Sequence, residues 1–320
     1  MSLHFEESSI RRDFIDSLVN GSLKGLQAIT KSDLHNHAGR GGNIKYISEW
    51  AHVSIQPPTD PFQSLQDMQS WFDEHVKIHC SGLQGYLKRI EAAFVQAEED
   101  HIKILALSFG LDEIDNLGGM DSFSRIMDDF HRRYAPRTRF LPELALDRAC
   151  HVEAVLGRLD AVLACQWFRS IDICGDEFAQ PIARFKSIYR AAKAAGLTLK
   201  AHVGEFGTAD QVMEAVEELE LQEVHHGIAA VSSPQIMRWL SRNHIQMNVC
   251  PTSNIMLGVA ESYGTHPIRK LYECGIPVTL NTDDLLIFNQ SVSQEYINLY
   301  KSGLMTPEEL NEIRLTGLKR

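Results

Sequence analysis

The chain has 320 residues, 44% of them hydrophobic and 23% charged, with a formal net charge of −11. This average composition can bury a sizeable core without invoking disorder, and the length suits one α/β barrel, a fold of about 250 residues before insertions. The acidic balance argues against a nucleic-acid polymer or an anionic membrane as partner, because phosphate surfaces attract an excess of Lys and Arg. A small molecule remains as the expected partner.

Six cysteines (Cys80, Cys150, Cys165, Cys174, Cys250 and Cys274) lie scattered with no C-x-x-C pair, so buried reduced thiols are expected in place of a disulfide framework or zinc knuckle. The start MSLHFEESSIRRDF lacks a basic segment leading into an apolar run. No stretch of about 18 apolar residues occurs either, which makes a cytoplasmic protein the expectation.

In chain order, short apolar or alternating runs predict eight strands: Ser32–His37, Ile102–Ser108, Arg139–Ala145, Ser170–Ile173, Thr198–Val203, Glu223–His226, Gln246–Val249 and Pro277–Thr282. Helical patterns separate them, among them LQGYLKRIEAAFVQAEED before the second strand and PIARFKSIYRAAKAAG before the fifth, the latter stopping at Gly196. Strands alternating with helices predict a parallel sheet, and eight such units close a (β/α)8 TIM barrel. We read residues 1–320 as one barrel domain. Residues 50–100, containing the turn-rich IQPPTDP, are read as a helical insertion over the barrel mouth. There Phe62, Leu65, Met68, Trp71 and Phe72 follow helical spacing, which fits either a packed helix or a hydrophobic lid. The chain stops soon after the eighth strand, so a short final helix is expected.

His35 and His37 in DLHNH stand two apart, which on a strand sends both imidazoles to one face. They end the first strand, where the active sites of such barrels gather. AHVGE adds His202 near the end of the fifth strand and Glu205 in the loop beyond it; a third imidazole with a separate acid is what hydrolytic zinc chemistry needs. In EVHHG, neighbouring strand residues face opposite ways, so only one of His225 and His226 can face the mouth; His226 is assigned there and His225 to a structural place. Asp283 and Asp284 follow an apolar strand in VTLNTDDLLIF, either in a solvated loop or paired with a cation or donor. His35, His37, His202 and Asp283 would make a set of three nitrogens and one oxygen with room for a water, whose pKa zinc would lower towards about 7.

DLHNH, DICGDE, AHVGE, HHG, CPTSN and NTDDLLIF resemble, in order and at comparable spacing over nearly the whole chain, the motifs of the adenosine deaminase family within the amidohydrolase superfamily. The resemblance implies one Zn2+ per chain, held by His35, His37, His202 and Asp283, and removal of the 6-amino group of a small purine. Glu205 resembles the acid that protonates purine N1, and His226 the base and electrostatic partner of the hydroxide. Asp284 resembles the carboxyl that contacts N7, and the Gly175 N–H the donor to N3. The fourth strand, SIDICGDE, has no lysine to bridge a second metal. Cys250 is read as structural, and His266 as a helix-entry residue.

The pattern departs from the family after the H-x-H. A Leu-Asp-Gly whose Asp contacts ribose is replaced by Ala38-Gly39-Arg40-Gly41-Gly42, and no acid follows until Glu49. Arg40 is then either a solvated surface residue or a fork for an anionic 5′ group, with the flanking glycines letting backbone approach the anion. Trp71 and Phe72 are the expected lid contacts to the purine. Adenosine, free adenine, an adenine nucleotide and an N6-substituted derivative all remain candidate substrates, as does a catalytically silent binding protein.

Overall fold

The computed structural model describes residues 2–319. Eight strands, β1 (Lys31–Asp33), β2 (Ile102–Gly110), β3 (Arg139–Asp147), β4 (Ser170–Cys174), β5 (Thr198–Val203), β6 (Glu223–His226), β7 (Gln246–Val249) and β8 (Val278–Leu280), lie side by side in sequence order. Every neighbouring pair from β1 to β8 is parallel. The seam between β8 and β1 is narrowed by a bridge from Asn36 to Asp283, and the helix Pro307–Leu318 packs across both edge strands. A side chain at Gly317 would drive its Cβ to 2.0 Å from Ser32 Oγ, so glycine lets this helix sit close on the seam. The architecture is the (β/α)8 barrel.

Three strands, β5, β6 and β7, have the bounds their sequence predicts, and β2 and β3 run on two residues further. The first strand differs most. It ends at Asp33, and His35 and His37 lie on the irregular segment beyond, where His37 makes only an isolated bridge to Ser108 of β2. The C-terminal helix spans 12 residues and is capped by Thr306 and Glu309, so the expectation of a short final helix is not met.

Local chemistry explains the crossovers. The helix Ala209–Leu219 starts from a Thr208/Gln211 capping box, and Pro234–Arg242 from Ser233 with proline in its first turn, each cap satisfying backbone donors that the first turn leaves unpaired. The helix Lys186–Ala194 ends at Gly196, whose φ of +81° suits glycine. Between β1 and β2 the chain forms the helices Ile44–Ala51, Leu65–His75 and Gly82–Glu99.

Apolar packing falls into two bodies. The larger lies between the sheet and its outer helices. The smaller gathers Ile44, Ile47, Phe62, Met68 and Phe72 from the β1–β2 segment with Leu257, Leu286, Ile287 and Phe288 from the segments after β7 and β8. No helix among the described residues is long and apolar enough to cross a membrane.

Candidate active site

At the C-terminal ends of the strands lies a cavity of about 370 Å³, within the range of small-molecule sites. His37, Arg40, Gly175, His202, Glu205, His226, Asp283 and Asp284 all line it. His226 and Asp283 have φ of +63° and +59°, a conformation that non-glycine residues adopt at a cost and that is concentrated at functional sites.

The donor atoms of His35, His202, His226 and Asp283 all lie within 4.8 Å of one another. His37 joins through Asp283, its Nε2 3.1 Å from Oδ1, and belongs to an overlapping trio with Asp283 and Asp284. The structure thus brings the expected ligands together and adds His226 to the cluster.

Hydrogen-bond partners set the imidazole orientation. His202 Nδ1 lies 2.8 Å from Asp172 Oδ2, and His35 Nδ1 lies 3.2 Å from the Asn248 carbonyl oxygen. The carboxylate and the carbonyl only accept, and Cys250 Sγ, 3.2 Å from His35 Nδ1, can accept as well, so both rings carry the proton on Nδ1 and aim a bare Nε2 lone pair inward. Those two Nε2 atoms stand 2.9 Å apart. Two lone pairs at that separation repel unless a cation lies between them, so the donor set fits a metal ion. Burial and, next, the neighbouring imidazole His225 hold His35 well below the usual histidine range, the neutral state a ligand needs.

A charged layer supports the cluster from inside the barrel. Lys200 Nζ lies 2.7 Å from Glu143 Oε2 and 3.6 Å from Glu223 Oε2, while His225 Nε2 lies 3.1 Å from Glu143 Oε1. The His225 ring stacks beneath His35 with centroids 4.0 Å apart, the structural place its alternation predicted. Burial works to raise the Glu143 pKa, but Lys200 and then His225 outweigh it and hold the group well below its ordinary value.

Glu205 lines the cavity beside the His–Asp cluster. Its carboxyl is held well above the usual range, first by burial and then by Asp283, Glu177 and Asp284, and its buried Oε1 has no hydrogen-bond partner. Oε1 lies 3.5 Å from His226 Nε2. Its loop is held by Glu177, which accepts from the backbone N–H of Gly204 at 2.5 Å, Phe206 at 2.9 Å and Gly207 at 3.1 Å. Sequence reasoning passed over Glu177 although it closes DICGDE, and over Asp172 in the same motif.

Two expectations need correction. From the helix Leu65–His75 it is Leu65, Met68 and Gln69 that line the cavity, not Trp71 or Phe72. Trp71 stacks on His75 with centroids 5.1 Å apart, and Phe72 is buried in the smaller apolar body. Arg40 lines the cavity with its side chain 28% exposed, but it is not an uncommitted fork: it donates to Asp284 Oδ2 at 3.0 Å and to Gln69, and lies 4.9 Å from the centre of the Phe72 ring. Of the loop glycines, Gly41 and Gly42 serve packing, since a Cβ at Gly41 would meet Asn36 Oδ1 at 1.6 Å and one at Gly42 would meet Ala92 at 2.5 Å, whereas one at Gly39 would meet nothing closer than 3.7 Å.

Acids absent after the H-x-H come from elsewhere. Glu113, just beyond β2, and Asp147, the last residue of β3, line the same cavity. The available signal was position, since residues at the ends of barrel strands face the site.

Fold and site together define a hydrolase of the (β/α)8 barrel class with a candidate metal centre at its mouth. The adenosine deaminase family model matches residues 129–320. A Treponema pallidum protein, provisionally named an adenosine/adenine deaminase, is 30% identical over 286 residues, covering 89% of this chain and 96% of that protein. The chain belongs to the adenosine deaminase family and is a deaminase. An adenosine deaminase of Shewanella loihica is 31% identical over 175 residues, 54% of this chain and 53% of its own length. Among solved structures, the adenine deaminase of Arthrobacter aurescens superposes with a TM-score of 0.77 at 20% identity, covering 90% of this chain and 92% of that one. The N6-mAMP deaminase of Arabidopsis gives 0.75 at 18% identity, covering 91% and 92%.

Proposed function

We propose that this chain hydrolyses the exocyclic C6–N bond of adenosine or a closely related adenine compound, with one zinc ion held by His35, His37, His202 and Asp283. Water and the 6-aminopurine become the 6-oxopurine and ammonia. The reading is carried by Glu205, a buried carboxyl pushed towards its neutral form, with an unpartnered oxygen beside the His–Asp cluster.

Zinc bound there would supply hydroxide at neutral pH, by lowering the pKa of water to about 7. C6 of an aromatic purine resists addition until N1 gains a proton, and Glu205 is the group that holds one. As oxygen adds to C6, the Glu205 proton passes to N1. His226, with Nε2 3.7 Å from Asp283 Oδ2, faces the added oxygen. Asp284 keeps Oδ1 unpartnered while Arg40 holds Oδ2; contact with N7 through Oδ1 needs a proton between them. Gly175, at φ +89° on the cavity wall, offers its N–H to N3. Leu65, Met68 and Leu257 give the cavity its apolar lining, which suits a purine face and limits water at the reacting carbon.

On the sugar side the wall carries Glu113 and Asp147, and the nearby Arg40 is engaged by Asp284. Carboxylates accept from sugar hydroxyls and repel phosphate. The test is an ultraviolet assay of zinc-loaded protein against adenosine, adenine, AMP, N6-methyl derivatives and 5′-modified adenosines. Turnover of adenosine or adenine above AMP is expected; no turnover of any 6-aminopurine would overturn the reading.

A further inference from the structure

We infer that Asn254 and His266 form a positioning pair that fixes the His226 imidazole with its proton on Nε2, so that His226 acts as a hydrogen-bond donor and not as a proton acceptor or metal ligand. The inference rests on the deaminase reading above.

The argument starts from a group whose role is fixed. The backbone N–H of Ile268 can only donate, and it lies 3.1 Å from His266 Nδ1, which must therefore present a lone pair. A neutral His266 then carries its proton on Nε2, 3.3 Å from Asn254 Oδ1. The carboxamide orientation follows: turned the other way, Asn254 would set its NH2 against the His266 N–H, donor against donor. With Oδ1 committed to His266, Asn254 Nδ2 donates to His226 Nδ1 across 3.1 Å. His226 Nδ1 is then an acceptor, and the remaining ring proton sits on Nε2.

All three side chains are at most 1% exposed, so no bulk solvent competes for these contacts. His266 is held down to about 3 by burial, in keeping with a neutral ring. The chain begins at backbone about forty residues beyond His226 in sequence and ends on the Nε2–H that faces Glu205 and Asp283. His226 differs here from His35 and His202, whose acceptor partners leave Nε2 bare for a cation. The hydroxide that adds to C6 carries its negative charge on oxygen as it approaches, and a preplaced N–H holds and orients that oxygen without reorganisation. The helix Pro251–Met256 and the turn into Ile268 thus set the protonation pattern of a residue on β6.

The test is long-range proton–nitrogen NMR on zinc-loaded protein labelled with 15N-histidine, in which protonated and bare ring nitrogens resonate far apart; His226→Gln identifies the His226 signals. The parent should show a protonated Nε2 and a bare Nδ1 at His226. Asn254→Asp places a carboxylate at Nδ1 and should reverse that pattern, lowering kcat about tenfold or more with KM within about threefold and zinc content unchanged. His266→Gln, which keeps a donor towards Asn254, should retain the parent tautomer and most of kcat. A proton on Nδ1 in the parent, zinc coordination by His226, or an Asn254→Asp protein with unchanged tautomer and kcat would overturn the inference. Failure of the parent to deaminate any 6-aminopurine would overturn the functional reading instead and leave the spectrum to decide the tautomer.

Discussion

Glu177→Gln isolates the clamp behind Glu205, the proposed acid. One glutamine oxygen replaces two carboxylate oxygens that together accept from Gly204, Phe206 and Gly207. If the amide oxygen faces Phe206 and Gly207, the Gly204 N–H meets an NH2 group, and a buried donor left without an acceptor costs about 1–3 kcal/mol. The two surviving bonds also lose their charge assistance, which roughly halves each. A total near 2–4 kcal/mol falls on the loop that carries Glu205, so the loop should loosen while the barrel stays folded. A loss of about 2 kcal/mol of productive geometry lowers kcat about thirtyfold. The charge change acts in a second way. Glu177 is among the anions that raise the Glu205 pKa; removing it lets that pKa fall. Because the active form is the protonated one, the alkaline limb of the kcat profile should move to lower pH. The assay is kcat against pH, with zinc stoichiometry and thermal unfolding measured on the same material. A variant with kcat within about threefold of the parent and an unmoved limb would refute the clamp.

Metal analysis should give about one zinc equivalent per chain, as a mononuclear site requires, and chelation should lower Tm because it restores the repulsion between the apposed His35 and His202 lone pairs. Glu205→Gln should keep zinc and lose turnover by about 10²–10⁴-fold, the range for a general acid; retention within a few-fold would reassign the residue. Arg40→Ala frees Asp284 Oδ2, and kcat/KM should fall by a similar factor for adenosine and AMP. A loss confined to AMP would restore the anion-fork reading.

Strand rhythm was legible where an element packs regularly on both sides, as in β5 to β7. It misled at DLHNH, because alternation continues to His37 while regular pairing stops at Asp33, and the next residues are held by single bridges to β2 and the β8 loop. The candidate ligand histidines were legible because each stands at or just beyond the C-terminal end of a strand, within a recognisable motif. Glu177 could not be read as a clamp, since its partners are backbone groups 27 to 30 residues away and backbone leaves no mark in residue identity. Arg40 was misread for a similar reason: its partner Asp284 lies 244 residues on, so the charge looked unspent in sequence. Helical periodicity found the stripe from Phe62 to Phe72 but not which part of it turns to the cavity, because Met68 and Trp71 share a face at a spacing of three.

The helices Ile44–Ala51 and Leu65–His75 share an apolar body with the segments after β7 and β8, joined to the barrel core through the helix Gly82–Glu99, which gives Ala92 to one body and Ile90, Ala93 and Phe94 to the other. Local opening follows contiguous packed units, so the smaller body should open more readily than the strands. Hydrogen exchange in Ile44–Ala51 and Leu65–His75 should therefore outpace that of the sheet and respond together to an occupied cavity. Residue 68 reports from both sides of that boundary, since Met68 belongs to the smaller body and also lines the cavity. Filling the site thus adds a second tie between the two bodies, and a bound purine should protect the smaller body more than it protects the barrel.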